Sequence, residues 1–238
     1  MSLPERRRAE YVRGTFDRIA GRYDLLNRVI SFHLDTYWRR KAIEAALRGG
    51  ERRLLDVGTG TGDLALAAAS KIGDQGLVVG LDFAHEMLRL ALDKGAPPAT
   101  RKKISYVQGT ALAAPFPDAS FDVIVSGFVL RNLTDLALFF REAHRLLKFG
   151  GRLVTLDMFP PAKMPFSFFY AIYFHRIMPL LGACLARNGE AYRYLSNSVR
   201  SFHSPETVAG MMVDAGFANA RVKKYLQGAV CLHTGEKR

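Results

Sequence analysis

The chain has 238 residues, of which 49% are hydrophobic and 24% are charged. These values are typical of one globular α/β domain with additions, and they exclude wholesale disorder. The 34 Lys and Arg outnumber the 22 Asp and Glu, so the formal net charge is +12. Such a basic balance favours an anionic partner, namely nucleic acid, anionic lipid or an acidic ligand, with simple solubility as the alternative.

The two cysteines and one long apolar segment bear on the compartment. Cys184 and Cys231 fit neither a CxxC motif nor a metal-ligand spacing. We therefore expect reduced thiols, no metal and a cytoplasmic protein without a secretory signal.

Residues Met164–Ala186 are long enough to span a bilayer, but His175 and Arg176 lie at the midpoint. A central arginine costs about 2.5–3.5 kcal/mol there, so we expect an amphipathic or groove-lining segment instead.

The first two thirds of the chain change from helical patterning to alternating strands and helices. Residues 5–50 show helical spacing, with helices predicted at Tyr23–Ile30 and Thr36–Leu47. The predicted strands that follow are Arg53–Gly58, Leu77–Asp82, Ile104–Gln108, Phe121–Ser126 and Arg152–Asp157, and the predicted helices between them are Asp63–Lys71, His85–Lys94 and Leu136–Leu147, the last closed by residues 148–151. This alternation predicts a doubly wound, mostly parallel sheet with right-handed crossovers.

The remainder of the chain departs from that alternation. The pattern over residues 158–203 predicts a largely helical, aromatic-rich insertion, which we expect to form a groove or lid over the substrate, with a small core under the sheet edge as the alternative. A helix at Glu206–Ala215 and a hairpin of strands at Arg221–Leu226 and Ala229–His233 then end the chain. We therefore predict a single domain over residues 1–238, made of a helical cap (1–50), a cofactor-binding core (51–157), the insertion (158–203) and a C-terminal helix and hairpin (204–238).

The run Asp56–Asp63, with the sequence DVGTGTGD, follows the first predicted strand. Glycine at every second position lets the backbone turn sharply and approach a ligand, although a plain strand–helix turn is the alternative. The dinucleotide fingerprint G-x-G-x-x-G is absent because Asp63 and Ala65 replace its third glycine, which disfavours NAD. Asp82 ends the second strand, where an acid can accept both ribose hydroxyls of an adenosyl group. The alternative for Asp82 is a helix N-cap.

Six stretches of the chain carry a resemblance to a known family. LLDVGTGTGD with Asp82 resembles the S-adenosylmethionine methyltransferases. The whole chain resembles one branch of them, the ubiquinone and menaquinone C-methyltransferases, through FDRIAGRYDLLNRVISF, YVQGTALAAPFPDASFDVIVSGFVLRN, RLLKFGGRL, YRYLSNSVRSF and MMVDAGF. These stretches lie within residues 12–233, which make up almost the full chain. The resemblance implies a seven-stranded, Rossmann-like sheet with an antiparallel last strand, and methyl transfer to a ring carbon of a prenylated hydroquinone.

The resemblance also implies roles for particular residues. S-adenosylmethionine is expected to be held by Asp56, Gly58, Thr59, Gly60, Thr61, Gly62 and Asp63 at its methionine end, by Asp82 at the ribose, and by Phe83, Met87, Thr110, Ala111 and Gly127 elsewhere. Phe128, His175, Tyr192 and Tyr194 are expected to line the substrate groove. Thr110 stands where the family usually has Asp or Asn, and Gly127 stands where serine is common. These departures leave the cofactor prediction in place.

The chemistry of a hydroquinone directs attention to the residues after the fourth strand. Its ring carbon is a poor nucleophile until the phenol loses a proton, so a base or a stabilising cation is needed. We predict that Arg131 stabilises the phenolate or holds a water that accepts the proton, that Asn132 orients the ring oxygen, and that Tyr23 folds over the cofactor. The structural alternatives are an Arg131–Asp135 ion pair, Asn132 as a helix cap, Tyr23 as a core anchor and His175 as a structural histidine.

The expected partners follow from substrate chemistry and charge. A prenylated quinol lives in the bilayer, so we expect peripheral, salt-sensitive contact with an anionic membrane. No nucleic-acid recognition module is present, so RNA is not expected despite the basic charge. The sequence leaves the oligomeric state open, with a homodimer as one option. A sterol, a phospholipid amine or another phenol is the alternative acceptor for the same fold.

Overall fold

The computed structural model describes residue 14 and residues 20–160 and 189–238. The helices are α1 (Tyr23–Ile30), α2 (Leu34–Ala46), α3 (Asp63–Ala69), α4 (His85–Asp93), α5 (Pro98–Arg101), α6 (Leu136–Leu146), α7 (Gly189–Arg200) and α8 (Pro205–Asp214). The strands are β1 (Arg53–Val57), β2 (Leu77–Asp82), β3 (Ile104–Gln108), β4 (Phe121–Gly127), β5 (Leu147–Met158), β6 (Phe217–Tyr225) and β7 (Val230–Lys237). Short 3₁₀ turns lie at Ala20–Arg22, Leu130–Asn132 and Leu226–Gly228.

The strands of the described residues form one seven-stranded sheet in the order β3-β2-β1-β4-β5-β7-β6. Strands β1 to β5 run parallel to one another, while β7 is antiparallel to both β5 and β6. The prediction of a mostly parallel sheet with an antiparallel last strand is therefore confirmed. The chain moves outward from β1 to β3 and then returns to place β4 on the other side of β1. Strand order thus reverses between β1 and β4, and such a point leaves a cleft at the carboxyl ends of the strands.

Two hydrophobic layers cover the two faces of the sheet. On one face α6 and α8 pack through side chains such as Phe139, Phe140 and Met212, each at most 1% exposed. On the other face α2 and α3 pack through Trp38 and Leu64. Burial on both faces explains why β1 and β4 are nearly continuous apolar runs rather than alternating ones.

Strand β5 differs from its prediction, which began at Arg152 and assigned residues 148–151 to the end of the preceding helix. The strand instead begins at Leu147, immediately after α6 ends. Leu147 pairs with Phe121 of β4, and the register then shifts before Val123 pairs with Arg152. Gly150 has a φ of +79°, a conformation that glycine adopts without steric cost. The glycines therefore lie within β5, at an irregularity in its pairing with β4. Local sequence patterning does not reveal this pairing.

The N-terminal helices agree with their predictions in part. Helix α1 has the predicted bounds, whereas α2 begins at Leu34, two residues before the predicted start. Helix α7 lies in the predicted helical insertion; most of that insertion, including Met164–Ala186, lies outside the described residues. Across residues 20–160 and 189–238, no helix has both the length and the apolar character needed to cross a membrane.

A buried arginine of the sheet holds α2 in place. Arg152 in β5 is 6% exposed, and its Nη1 donates to the carbonyl oxygens of Ala45 (3.0 Å) and Ala46 (2.8 Å). These carbonyls belong to the last turn of α2, where no helical N–H remains to satisfy them. A cation there also interacts favourably with the negative end of the helix dipole. The helical cap is thereby attached to the sheet across more than 100 residues of sequence.

This attachment predicts the effect of Arg152→Met on folding. The substitution keeps an apolar stem but removes the hydrogen bonds to the two carbonyls. Charged hydrogen bonds contribute about 1.5–3 kcal/mol, so the free energy of unfolding should fall by about that amount. Urea unfolding followed by circular dichroism measures it. Arg141→Met, on an exposed position of α6, is the matched control and should change stability by less than about 0.5 kcal/mol. Equal losses in both variants would contradict the assignment.

Candidate active site

A cavity of about 220 Å³ opens at the carboxyl ends of β1, β2, β3 and β4. Its wall is formed by the residues that directly follow these strands and by one residue of α1. The lining comprises Tyr23, Gly58, Gly60, Asp82, Phe83, Met87, Gly109, Thr110, Ala111, Leu112, Gly127, Phe128, Val129, Asn132, Leu133 and Thr134. The wall is mostly apolar, with the carboxylate of Asp82 as its only formal charge among these residues. This composition suits a flat, largely apolar ligand anchored at few polar points.

The glycines of the loop after β1 are required by close packing. Gly58 has a φ of +69°, and a Cβ added to it would lie 2.3 Å from Cγ2 of Val129. Gly62 has a φ of +82°, and a Cβ there would lie 2.4 Å from the hydroxyl of Tyr106. Both positions combine a left-handed backbone with no room for a side chain. The loop therefore reaches the segment after β4 and closes the cavity on that side.

Asp82 lies at the end of β2 and holds the glycine loop. It is 7% exposed, and its two carboxylate oxygens accept from the backbone N–H of Gly60 (2.8 Å) and of Ala84 (2.9 Å). Helix α4 begins at His85 with Ala84 as its N-cap and without a side-chain cap. The N-cap alternative for Asp82 is therefore wrong. Each carboxylate oxygen can accept more than one hydrogen bond, so the same group can also meet ligand hydroxyls.

Asp56 and Thr59 do not line the cavity; they stabilise the glycine loop through a hydrogen bond to each other. The Thr59 hydroxyl donates to Asp56 at 2.7 Å, and Asp56 is 1% exposed. Burial raises the pKa of Asp56 to about 7, although the bond from Thr59 acts in the opposite direction. These residues fix the backbone path of the loop, and the ligand role predicted for them stays a prediction.

Thr61 and Asp63 form a polar cluster with two residues that the sequence did not single out. The Thr61 hydroxyl donates to Asp24 of α1 at 2.6 Å and accepts from Lys94 at 3.0 Å. Lys94 also pairs with Asp24 (2.6 Å) and Asp63 (2.5 Å). Neither Thr61 nor Asp63 lines the cavity. The cluster joins α1 to the glycine loop, and this explains how Tyr23 comes to lie 4.0 Å from the position of a Cβ on Gly60.

The remaining predicted cofactor residues lie on the wall of the cavity. Phe83, Met87, Thr110 and Ala111 share one part of it. Met87 is 2% exposed, and the Thr110 hydroxyl accepts from the backbone N–H of Leu112 at 3.2 Å. The Thr110 side chain thus holds its own turn in place. The backbone of Thr110 is also bridged to Ala113, and the ligand role predicted for Thr110 stays a prediction.

Arg131 forms a buried ion pair with Asp157. Arg131 is 8% exposed and lies in the 3₁₀ turn after β4, while Asp157 is fully buried near the end of the neighbouring strand β5. The guanidinium Nη1 and the Arg131 backbone N–H both donate to the Asp157 carboxylate. The alternative pairing with Asp135 is wrong, because Asp135 caps α6 by accepting from the N–H of Leu138 at 2.8 Å. The sequence could have suggested Asp157 only from its position at the end of a parallel strand.

Asn132 connects the cavity to α7. Its Oδ1 accepts from the Tyr194 hydroxyl at 3.1 Å, and its Nδ2 donates weakly to the carbonyl of Phe128 at 3.4 Å. Asn132 does not cap α6, so that alternative is also wrong. The structure thus brings Tyr23, Phe128 and Asn132 to one cavity and Tyr194 to its rim. His175 and the Tyr192 side chain lie outside the described part of the chain.

Gly127 and Phe128 rest on an arginine of α2. A Cβ on Gly127 would lie 3.3 Å from Cδ2 of Leu64 and 3.7 Å from Nη1 of Arg39. The Arg39 guanidinium carbon lies 5.1 Å from the centre of the Phe128 ring. Phe128 itself has a φ of +65°, which is strained for a residue with a side chain. Such strain is typical of residues held at functional sites.

Two solved structures of methyltransferases have a similar fold. A SAM-dependent methyltransferase from Thermotoga maritima matches with a TM-score of 0.66 and 20% identity, over 94% of this chain and 99% of that one. A SAM-dependent methyltransferase from Aquifex aeolicus matches with a TM-score of 0.61 and 20% identity, over 86% of this chain and 91% of that one. At this identity the likeness establishes the fold.

Sequence relatives are closer. The chain is 42% identical to a demethylmenaquinone methyltransferase of Thermus thermophilus over 93% of its own length and 99% of the relative's. It is 37% identical to a ubiquinone/menaquinone biosynthesis C-methyltransferase of Shewanella woodyi over 97% of its length and 92% of the relative's. The model of the ubiE/COQ5 methyltransferase family matches residues 4–237. The chain therefore belongs to the ubiE/COQ5 methyltransferase family, and it is an S-adenosylmethionine-dependent methyltransferase.

Proposed function

We propose that the protein transfers a methyl group from S-adenosylmethionine to a ring carbon of a prenylated hydroquinone in respiratory quinone biosynthesis. The observation that carries the proposal is one cavity that joins an acid at the end of β2 to the Asn132–Tyr194 hydrogen bond at the rim. The names of full-length relatives, which specify menaquinone or ubiquinone biosynthesis, support this choice of acceptor.

The residues of the cavity fit the cofactor. Asp82 provides paired acceptors for ribose hydroxyls, the apolar side chains of Phe83 and Met87 suit adenine, and the loop with Gly58 and Gly60 allows close approach of a backbone. When bound, S-adenosylmethionine supplies a methyl group that its sulfonium makes electrophilic. The protein's own contribution is then to hold the acceptor in line and to lower the cost of ionising it.

Arg131 is suited to stabilise negative charge, but not to accept a proton. Burial is the largest single influence on the pKa of its guanidinium and lowers it, but the charge and hydrogen bond of Asp157, together with Tyr23 and Tyr194, outweigh burial and raise the pKa above its ordinary value. A guanidinium with a raised pKa stays protonated at all physiological pH values. Arg131 therefore acts on a developing phenolate through its N–H groups or through a water that they orient. Asp157 fixes the direction of those N–H groups and reduces the net charge of the pair.

Asn132 and Tyr194 are suited to position the acceptor ring. Because Tyr194 donates to Oδ1 of Asn132, the amide is oriented with its Nδ2 group on the other side. The bond from Nδ2 to the Phe128 carbonyl is long, at 3.4 Å, and the second hydrogen of Nδ2 can donate to a hydroquinone oxygen.

We also propose that the protein reaches its membrane-dissolved substrate by peripheral contact with anionic lipid, in keeping with its net charge of +12.

The acceptor is tested with purified protein and cofactor carrying an isotopically labelled methyl group. We expect label in the ring of a demethylated, prenylated naphthoquinol or benzoquinol after chemical reduction of the quinone. A sterol, a phosphatidylethanolamine and a simple phenol serve as competing acceptors, and mass spectrometry locates the label. Faster methylation of any of these three than of the prenylated quinols would contradict the proposal.

The cofactor site is tested with Asp82→Ala. The variant loses a charged acceptor for ribose hydroxyls and the anchor of the Gly60 N–H, so affinity for S-adenosylhomocysteine should fall about ten- to a hundredfold. Isothermal titration calorimetry measures the change. Asp93→Ala, at an exposed position of α4, removes the same charge away from the cavity and should bind normally. Unchanged affinity in Asp82→Ala, or tight binding of NAD by the wild type, would exclude this assignment.

Catalysis is tested with Arg131→Lys rather than with Arg131→Ala alone. Removing the cation leaves Asp157 buried without its partner, which typically costs about 3–5 kcal/mol of stability. Lysine keeps the charge but not the planar array of donors. We expect Arg131→Lys to lower kcat about a hundredfold or more while the affinity for S-adenosylhomocysteine changes less than about threefold. Parallel losses in kcat, cofactor affinity and melting temperature would indicate a purely structural role.

A further inference from the structure

A second cavity, of about 300 Å³, lies between the helical cap and α3. It shares no lining residue with the first cavity. Four cationic side chains and two hydroxyl side chains line it, namely Arg28, Arg39, Arg40, Lys71, Thr36 and Ser70. The one carboxylate in its lining is that of Asp63. The arrangement is therefore basic and rich in hydrogen-bond donors.

Arg39 is a buried cation with loose pairing: its guanidinium lies over the Phe128 ring and forms a long ion pair with Asp35. It is 8% exposed, yet its guanidinium makes no hydrogen bond to any residue in the described part of the chain. The nearest carboxylate oxygen, in Asp35, lies 3.9 Å from its Nε, beyond hydrogen-bonding distance. Buried polar groups are nearly always hydrogen-bonded, and one without a partner calls for a specific explanation. A ligand that brings acceptors into the cavity supplies it.

The other cations add positive charge that nearby acids do not fully offset. The half-buried Arg28 side chain makes neither an ion pair nor a hydrogen bond within 20–160 and 189–238. Arg40 and Lys71 share the single carboxylate of Glu44, with both distances at 3.7 Å. Asp63 is paired with Lys94 at 2.5 Å. An additional anion would therefore meet several cations that compete for few carboxylates.

The donors indicate the chemical class of that anion. Guanidinium groups present parallel N–H donors that match phosphate oxygens, and lysine adds further donors. The hydroxyls of Thr36 and Ser70 already donate to the carbonyls of His33 (2.7 Å) and Ala67 (2.9 Å), so the donors for a phosphate come from the cationic side chains. A phosphate group carries acceptors in several directions and can meet Arg28, Arg39 and Lys71 together, which a carboxylate does less well. We propose that this cavity binds a phosphate group, either as free phosphate or as the headgroup of an anionic phospholipid.

Exposed apolar side chains on α1, on α2 and on the turn between them indicate which source of phosphate is favoured. Leu25 of α1, Phe32 of the connecting turn and Leu34 of α2 are 53%, 72% and 38% exposed. Exposed apolar side chains beside a basic site are suited to a lipid surface. The site itself is independent of the methyl-transfer function, since it rests on the donors of the cavity and not on the acceptor.

The experiment uses the full-length protein with two probes, at constant ionic strength. The first probe is inorganic phosphate, measured by calorimetry, and the second is vesicles of phosphatidylglycerol against vesicles of phosphatidylcholine, measured by sedimentation. Arg28→Gln is the main variant because its side chain contributes no ion pair or hydrogen bond among the described residues. Arg39→Gln is the second variant. Arg221→Gln, exposed on β6, makes the same change in charge away from the cavity.

We expect Arg28→Gln and Arg39→Gln to weaken binding of at least one probe by roughly tenfold or more, and Arg221→Gln to leave it unchanged. Loss confined to phosphate assigns a soluble ligand, and loss confined to phosphatidylglycerol vesicles assigns a lipid headgroup; both support the site. If Arg39→Gln fails to fold, as a thermal melt would show, Arg28→Gln decides. The proposal is overturned if the wild type binds neither probe, or if Arg28→Gln and Arg221→Gln behave alike.

Discussion

The reversal of strand order between β1 and β4 is the constraint on which the site depends. The connections after these two strands leave toward opposite faces of the sheet, so a cleft opens between their carboxyl ends. The glycine loop fills one side of that cleft, and the turn with Arg131 and Asn132 fills the other. Close contact between Gly58 and Val129 shows how little space separates the two sides. Cofactor and acceptor can therefore meet at one point without either being carried by a long loop.

Buried and half-buried charged side chains around this cleft connect the loops and helices that form it. Asp82 joins the glycine loop to β2, Asp157 joins the turn after β4 to β5, and Lys94 joins α1 to the loop. Each carboxylate is buried or half-buried and has a donor, as groups removed from water require. The electrostatic consequence is that Arg131, which lies behind the lining of the cavity, would act on an acceptor as proposed only as one half of an ion pair. Its effect on a phenolate comes from oriented donors in a dry site more than from net charge.

The helical cap connects the two cavities. Arg39 of α2 contacts Gly127 and Phe128 behind the first cavity while it lines the second. Arg152 anchors the end of the same helix to β5. Helix α2 therefore lies between the first cavity and the basic cavity. An anion bound in the second cavity, as proposed, would be linked to the wall of the first through Arg39.

Much of the fold could be predicted from the sequence, because buried parallel strands are short apolar runs and each core helix carries a periodic apolar face. The sequence likewise singled out Gly58, Gly60 and Asp82, which the structure brings to one cavity, since glycine and a strand-end carboxylate have local geometric roles. The start of β5 could not be predicted in this way, because pairing of Leu147 with Phe121 depends on a neighbouring strand. Nor could the partners of Arg131, Thr61 and Arg39, because side chains distant in sequence become neighbours only when the sheet assembles. Sequence determined which chemical groups are present at the strand ends, whereas tertiary packing decided which of them pair with one another and which remain to meet a ligand.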